Sequence, residues 1–511
     1  MIIPFARWRL VASLAVAAAI GGTVVAVYYF RLGLTLTHYD ARGHLIVARR
    51  IFDSITPGWQ QIGAVWLPLP HLLNAIPVQV DAFYRTGASA VAISIVAFAI
   101  ATAAIGWIVM SVTDSAPAAI AGAAVFALNP NVLYLQSTPM TEPLLLALTT
   151  CAIATLMAWS GDFELRASAF RLQTSDFRLS ESTVGWLFAL ACLTRYEAWP
   201  VTASALAAAA WVRWRQGASV TEAAKAVARV ALYPAVAIVA FAAFSRLVIG
   251  EWFLSGGFFV AENKALGDAT MAVKEIGWGA REVSGQLLVA IGLAGAIALV
   301  VVGLLSRRRA AALVPVSLVT MAAIPFAAFV DGHPFRIRYV VPLMAIEGIG
   351  AGVLAGLAPR RARVAAAVVV AAIVAFELRP IDAKAPMVIE AQWDRPNEPI
   401  RAAVTECLGR PGSGETIMAS MGSLGHYMQE ASNAGFAVRD FLHEGNGDIW
   451  LAALGSPRPF VEWVMIEEKA EGGDMLARIA RERPSFLRGY VRVCDGAGLA
   501  LYRRLHQKSA G

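Results

Sequence analysis

Apolar runs of about twenty residues, each long enough to cross a hydrocarbon core about 30 Å thick, recur along the first 380 positions of the chain. They fall near 10–34, 87–110, 117–135, 142–159, 183–199, 200–214, 229–249, 286–305, 311–330, 339–358 and 364–380, about eleven in all. Inside a bilayer a segment must satisfy its own backbone N–H and C=O groups, so such runs are helices. Composition agrees: 58% of residues are hydrophobic, only 15% are charged, and the mean hydropathy is +0.60. The expected fold is therefore a polytopic α-helical membrane protein. Two stretches interrupt the pattern. Pro200 either divides 183–214 into two helices or kinks one, and Pro130, Pro139 and Pro143 break up 117–159. The first run follows Arg7 and Arg9 in the manner of a signal peptide, but it continues through Val24, Val25, Tyr28 and Phe30. That is too long for a signal core of about 7 to 15 residues, so it reads as a retained span.

The net charge of +7 does not point to nucleic acid, because the basic residues form short clusters between apolar runs. They set orientation instead. Arg7 and Arg9, then Arg166, Arg171 and Arg178, then Arg213, Arg215, Lys225 and Arg229, then Arg307 to Arg309, then Arg360, Arg361 and Arg363 belong to one set of loops, expected in the cytoplasm. The other set, 35–86, 136–141, 195–200, 250–285 and 331–338, is expected outside and holds the His, Asp, Glu and aromatic residues.

Past Arg379-Pro380 the composition becomes that of a soluble domain. The division is thus 1–380 for the membrane module and 381–511 for a small α/β domain. Helical patterns lie near 397–408, 423–434 and 473–482, and strand patterns near 416–420, 461–467, 486–494 and 498–503, with a turn around Asp495-Gly496. An odd number of spans places this domain outside with the loops above. There Cys407 and Cys494 are either a disulfide or two thiols, while Cys151 and Cys192 sit in apolar runs.

Ionisable groups at span ends are costly unless they face water, a partner or a substrate. Four clusters meet that description. His38, Tyr39, Asp40, Arg42 and His44 follow the first span directly; the plain alternative pairs Asp40 with Arg42 or Arg49. The amphipathic continuation with Leu45, Ile46, Ala48, Ile51 and Phe52 suits a membrane interface. Glu142 stands between Pro139 and Pro143, either as a functional acid or as a favourable charge at a helix N-terminus. Arg195 and Glu197 lie in Thr194-Arg195-Tyr196-Glu197-Ala198-Trp199-Pro200 and either act on substrate or neutralise each other. His333, Arg336 and Arg338 end a span, and an arginine fork suits a phosphate, whether of a substrate or of ordinary anionic lipids.

In this order these motifs resemble GT-C class membrane glycosyltransferases: the protein O-mannosyltransferases, the aminoarabinose transferases and the RgtA/B/C/D-like enzymes. The resemblance covers most of 1–380. It implies a GT-C-like fold and a sugar donor carried on a polyprenyl phosphate. It implies, too, an acceptor hydroxyl on a glycan, lipid or protein at the outer face of a bacterial inner membrane. It also implies catalysis by Asp40 as general base in an inverting displacement. Glu142 joins Asp40 as the second catalytic candidate, with His38, Tyr39, Arg42, His44, Arg195, Glu197, His333, Arg336 and Arg338 as substrate-binding candidates. A divalent cation is the one cofactor to consider, with no ligand set assigned. The chain departs from the class where many members pair two acids, since Tyr39 precedes Asp40. It also lacks a Trp-Trp-Asp motif, which argues against en bloc transfer to asparagine. The competing readings are a multi-span transporter or lipid flippase, against which stand the charges at span ends and the lack of internal repeats, and an envelope assembly factor.

Overall fold

The computed structural model describes residues 4–63, 65–161, 180–250, 252, 264–409, 411 and 414–506. Arg166, Arg171 and Arg178 lie outside them. Among the described residues, seven helices are long and apolar enough to cross a membrane: Arg7–Arg31, Ala88–Thr113, Glu142–Ser160, Val220–Ile249, Gln286–Leu305, Arg307–Val330 and Ile337–Leu357.

The remaining apolar runs form shorter or more polar helices, each for a local reason. The run at 117–135 ends as a helix at Ala127 and restarts at Pro130. Asn129 caps the restart, its Oδ1 accepting the N–H groups of Asn131 at 2.9 Å and Val132 at 3.3 Å. Pro130 at the first helical position gives up an N–H that would have had no partner there. The break in 183–214 falls before Pro200, between Glu181–Cys192 and Ala198–Gln216, and Pro200 sits harmlessly in the first turn of the second helix. The first of these helices has 12 residues and the last apolar one, Arg363–Glu377, has 15. At about 1.5 Å per residue they reach roughly 18 and 23 Å, short of a full crossing.

The chain divides into two compact units, one of Met1–Leu32 with Val91–Glu390 and one of Gly33–Ala90 with Ala391–Gly511. The first unit is helical. Its helix Met344–Leu357 meets two others at glycines, where backbones touch because no side chain intervenes. A Cβ on Gly295 would lie 1.8 Å from the Gly350 carbonyl oxygen, and one on Gly122 2.6 Å from that of Gly348. Glu377 caps Gln286–Leu305, its two carboxylate oxygens each accepting at 2.8 Å from the N–H groups of Leu287 and Leu288.

The second unit is built on a five-stranded sheet, β1 (Ile417–Ala419), β2 (Phe441–Leu442), β3 (Trp463–Glu467), β4 (Tyr490–Gly496) and β5 (Leu499–Arg504), in the order β2-β1-β3-β5-β4. The pairs β1–β2 and β1–β3 are parallel, and β3–β5 and β4–β5 antiparallel. The β4–β5 turn lies two residues beyond the expected place, at Ala497 (φ 52°) and Gly498 (φ 85°). Two successive positive φ angles make the tight hairpin that matches strand twist. Helix Tyr39–Arg49 belongs to this unit. Its Leu45, Ile46 and Ala48 are fully buried in one core with Tyr427, Phe441, Trp463 and Leu501, so these apolar residues pack against protein where the sequence suggested a lipid interface. Cys407, ending helix Glu398–Glu406, is disulfide-bonded to Cys494 on β4, with a Cα–Cα separation of 6.4 Å.

Candidate active site

In the second unit, His38 caps helix Tyr39–Arg49: its Nδ1 accepts the Asp40 N–H at 3.0 Å. Asp40 therefore stands in the first turn, where the helix dipole favours a negative charge, and it is 9% exposed. The Tyr39 hydroxyl donates to the Gly422 carbonyl at 2.5 Å, and its ring lies 4.9 Å from that of His426. The two arginines weighed as partners of Asp40 each make ion pairs with other acids. Arg42 bridges Glu398 (3.0 Å) and Glu430, and Arg49 bridges Asp53 and Asp81, both at 2.7 Å. Arg42 thus ties the first loop to the C-terminal segment, held by Glu430 together with Arg401. His44 pairs with His71, Nδ1 to Nε2 at 3.0 Å, beside the Trp66 ring. The Leu67 carbonyl can only accept, so His71 donates to it from Nδ1 (3.2 Å) and accepts from His44 at Nε2. Burial, aided by Arg50, pushes His71 down to about 3, so it stays neutral near pH 7.

In the first unit, Glu142, Arg195 and Glu197 come together although 55 residues separate the first from the last. Arg195 Nη1 lies 2.9 Å from Glu142 Oε1 and donates to Thr141 Oγ1 at 3.0 Å, while Nη2 donates to Glu197 Oε1 at 2.6 Å. Glu142 is wholly buried, and neither of its side-chain oxygens receives an aligned hydrogen bond; the contact with Arg195 is an ion pair only. Burial works against the Arg195 charge, but Glu142 and Glu197 outweigh it and hold the guanidinium above its usual range. One guanidinium between two carboxylates leaves a formal charge of −1. Arg195 thus faces both carboxylates, and its contact with Glu197 is one of the two arrangements open from the sequence.

His333, Arg336 and Arg338 form a second group in that unit. His333 donates from Nδ1 to the Pro334 carbonyl at 2.8 Å, and its ring is 5.5 Å from Tyr339. Burial lowers its basicity. Arg338 donates to the Tyr339 hydroxyl at 3.0 Å and stacks 4.8 Å over that ring. Arg336 makes no side-chain hydrogen bond or ion pair among the described residues. Glu390, which the sequence reading passed over, accepts the Ile337 N–H at 2.6 Å; burial raises its pKa, and the two arginines partly oppose that. Two arginines stand against Glu390 here, and Glu390 also acts on Glu142 of the triad, so the two groups together balance three arginines against three carboxylates; an arginine fork itself suits a phosphate. The signal for Glu390 was weak: a lone acid in a helix of six residues. Among the described residues no three His, Cys, Asp or Glu side chains converge as a metal-binding group.

No protein-family model and no curated protein matches the sequence. Among solved structures, the chain is similar to ArnT from Cupriavidus metallidurans bound to undecaprenyl phosphate, with a TM-score of 0.53 and 13% identity over 94% of this chain and 97% of that one. With so little identity, the likeness speaks for the fold: a GT-C-like polytopic helical membrane protein with a small C-terminal sheet domain.

Proposed function

We propose that this protein is a membrane glycosyltransferase that moves a sugar from a polyprenyl-phosphate donor to an acceptor hydroxyl on the outer face of the membrane, with inversion. The observation that carries the reading is the fold shared over 94% of the chain with a protein bound to undecaprenyl phosphate. In the reaction the acceptor oxygen attacks the anomeric carbon opposite the phosphate. The bond to the phosphate oxygen breaks with its electron pair leaving on the prenyl phosphate, and the hydroxyl proton passes to a base. Asp40 is the base we assign: an acid in the first turn of a capped, buried helix is held in one place. Arg336 and Arg338, whose forks suit a phosphate, are assigned to the leaving phosphate. Glu142 is assigned to acceptor hydroxyls or a cationic group, since the buried triad it shares with Arg195 carries net negative charge. In this proposal residues 1–380 are the membrane module and 381–511 the exported α/β domain. The disulfide supports an outward second unit, because such bonds persist in oxidising compartments.

The test uses the full-length protein reconstituted in liposomes with a panel of polyprenyl-phosphate sugars, following release of polyprenyl phosphate. General-base help is worth about 10² to 10⁴ in rate, so Asp40→Asn should lose that much turnover while keeping the wild-type thermal midpoint. Turnover of Asp40→Asn within a few fold of wild type would refute the assignment of the base.

A further inference from the structure

The second unit buries a cation that none of its described carboxylates pairs with. Arg50 is 8% exposed, donates from Nε to the Gln61 carbonyl, and places Nη1 against the Met421 sulfur. No described carboxylate lies within ion-pairing distance of it. Glu444, the acid that acts on it electrostatically, is itself taken up by the Ser420 hydroxyl and by the Met421 N–H at 2.7 Å. The remaining guanidinium nitrogen, Nη2, faces Gly63. A Cβ there would meet Nη2 at 3.0 Å and no other described side chain or backbone within 4 Å. A buried, unpaired guanidinium is costly unless something supplies the missing anion.

Two further groups around the same backbone lack partners. His443 is fully buried, and its Nδ1 accepts the Gly445 N–H at 3.1 Å. That fixes the neutral tautomer with the proton on Nε2, and this N–H has no acceptor. Gln61 is also fully buried. Its Nε2 donates to the carbonyls of Thr56 (2.8 Å) and Gly445 (2.7 Å), which settles the amide orientation and leaves Oε1 without a donor. The two groups are adjacent: a Cβ on Gly445 would lie 2.7 Å from Gln61 Oε1 and 2.9 Å from His443 Cε1. Arg50 is tied to Gln61 by the hydrogen bond above and holds the His443 ring at about 3, after burial itself. A cation with no described carboxylate in ion-pairing range, a buried N–H donor without an acceptor and a buried carbonyl without a donor thus stand around one short backbone segment, where buried polar groups are normally paired.

We propose that Arg50, His443 and Gln61 form an oxyanion site for a hydrogen-phosphate group, free or esterified. Its charge answers Arg50, its bare oxygens accept from Arg50 Nη2 and His443 Nε2, and its P–O–H donates to Gln61 Oε1. The last contact separates phosphate from sulfate, which carries no proton near neutral pH. None of these residues has a role in the transfer proposed above, so the site stands or falls apart from that reading.

The experiment titrates the full-length protein in phosphate-free nonionic detergent with inorganic phosphate, with sodium sulfate at matched ionic strength alongside, reading the thermal midpoint and binding of radiolabelled phosphate. Saturable binding that favours phosphate over sulfate by at least tenfold is expected. His443→Asn preserves an acceptor for the Gly445 N–H and removes only the far ring N–H. It should weaken phosphate at least tenfold without changing the midpoint in phosphate-free buffer, and Arg50→Gln should abolish binding. Because Arg50→Gln can fail to fold, His443→Asn decides. Displacement of bound phosphate by farnesyl phosphate identifies the source as a lipid headgroup; binding that farnesyl phosphate leaves intact identifies a water-soluble phosphate, and either supports the site. Absence of saturable phosphate binding, or equal affinity in wild type and His443→Asn, overturns it and leaves water as the occupant.

Discussion

Replacing Arg195 tests the buried triad directly. Its guanidinium is the sole positive member of a cluster in which Glu142 is wholly buried and the Glu197 side chain is 5% exposed. Arg195→Gln keeps a polar side chain but leaves two carboxylates facing each other out of water. Removing one partner of a buried ion pair costs about 3–5 kcal/mol, because the loss is the penalty of an uncompensated charge and not the worth of the contact. Each carboxylate substitution alone should cost less, since Glu142→Gln or Glu197→Gln leaves a balanced pair. In the double variant Arg195→Gln with Glu142→Gln, one stranded charge has gone, so the two effects should fall short of their sum by about 1–3 kcal/mol. The cost of Arg195→Gln should not vary with pH through Arg195 itself. Its folded-state pKa is raised, so the stability it contributes is fully present below the range where a free arginine titrates and is lost only as pH rises beyond that. The assay is thermal unfolding in nonionic detergent followed by tryptophan fluorescence, where a fall on the order of 5 °C is expected for Arg195→Gln. A midpoint equal to wild type, or strict additivity in the double variant, would refute the account of a mutually dependent buried cluster.

Other outcomes follow from single features. The Cys407–Cys494 bond closes a separation of 87 residues, for which chain entropy gives about 4.6 kcal/mol and practice typically 2–4 kcal/mol; Cys407→Ser with Cys494→Ser should lower the thermal midpoint, and alkylation of both thiols without reductant in the denatured wild type would show the bond absent. Acid should weaken the second unit: burial holds His71 and His443 at about 3 and His426 well below 6.5, so from pH 6.5 downward the unfolded chain takes up protons that the folded one refuses. Asp474, raised to about 6 by burial, opposes by one proton between about pH 6 and 4, and Asp440, also raised by burial, opposes in the same direction; the three histidines outnumber them, leaving a net loss of stability at about 1.4 kcal/mol per pH unit for each remaining proton. A midpoint unchanged from pH 7 to 5 would contradict this. Gly295→Ala would place a methyl 1.8 Å from the Gly350 carbonyl and force two helices apart, at a cost of about 1–3 kcal/mol or more; normal yield and an unshifted midpoint in detergent would count against the close backbone contact.

What the sequence made legible, and what it hid, divides along a physical line. Apolar length and β-alternation are local properties, so the helical module, the late α/β segment and four of its five strands could be read directly; β2 escaped because two residues carry no period. Capping is local too, and Asn129-Pro130 could be read as an interruption, though not as the particular restart it makes. The first loop misled because an amphipathic helix has the same pattern whether its apolar face meets lipid or a protein core. Leu45, Ile46 and Ala48 turned out to be core only because residues from beyond 400 pack on them, and no spacing rule records a partner 350 or more residues away. Electrostatic partners are hidden for the same reason. Arg195 and Glu197 are neighbours whose pairing could be weighed from the sequence, whereas Arg42 with Glu430 and Arg50 with the His443 segment could not. That asymmetry bears on function: a motif shows which side chains are unusual for their surroundings, but whether an arginine faces carboxylates, as Arg42 and Arg195 do, or none among the described residues, as Arg50 does, depends on contacts that only the fold supplies.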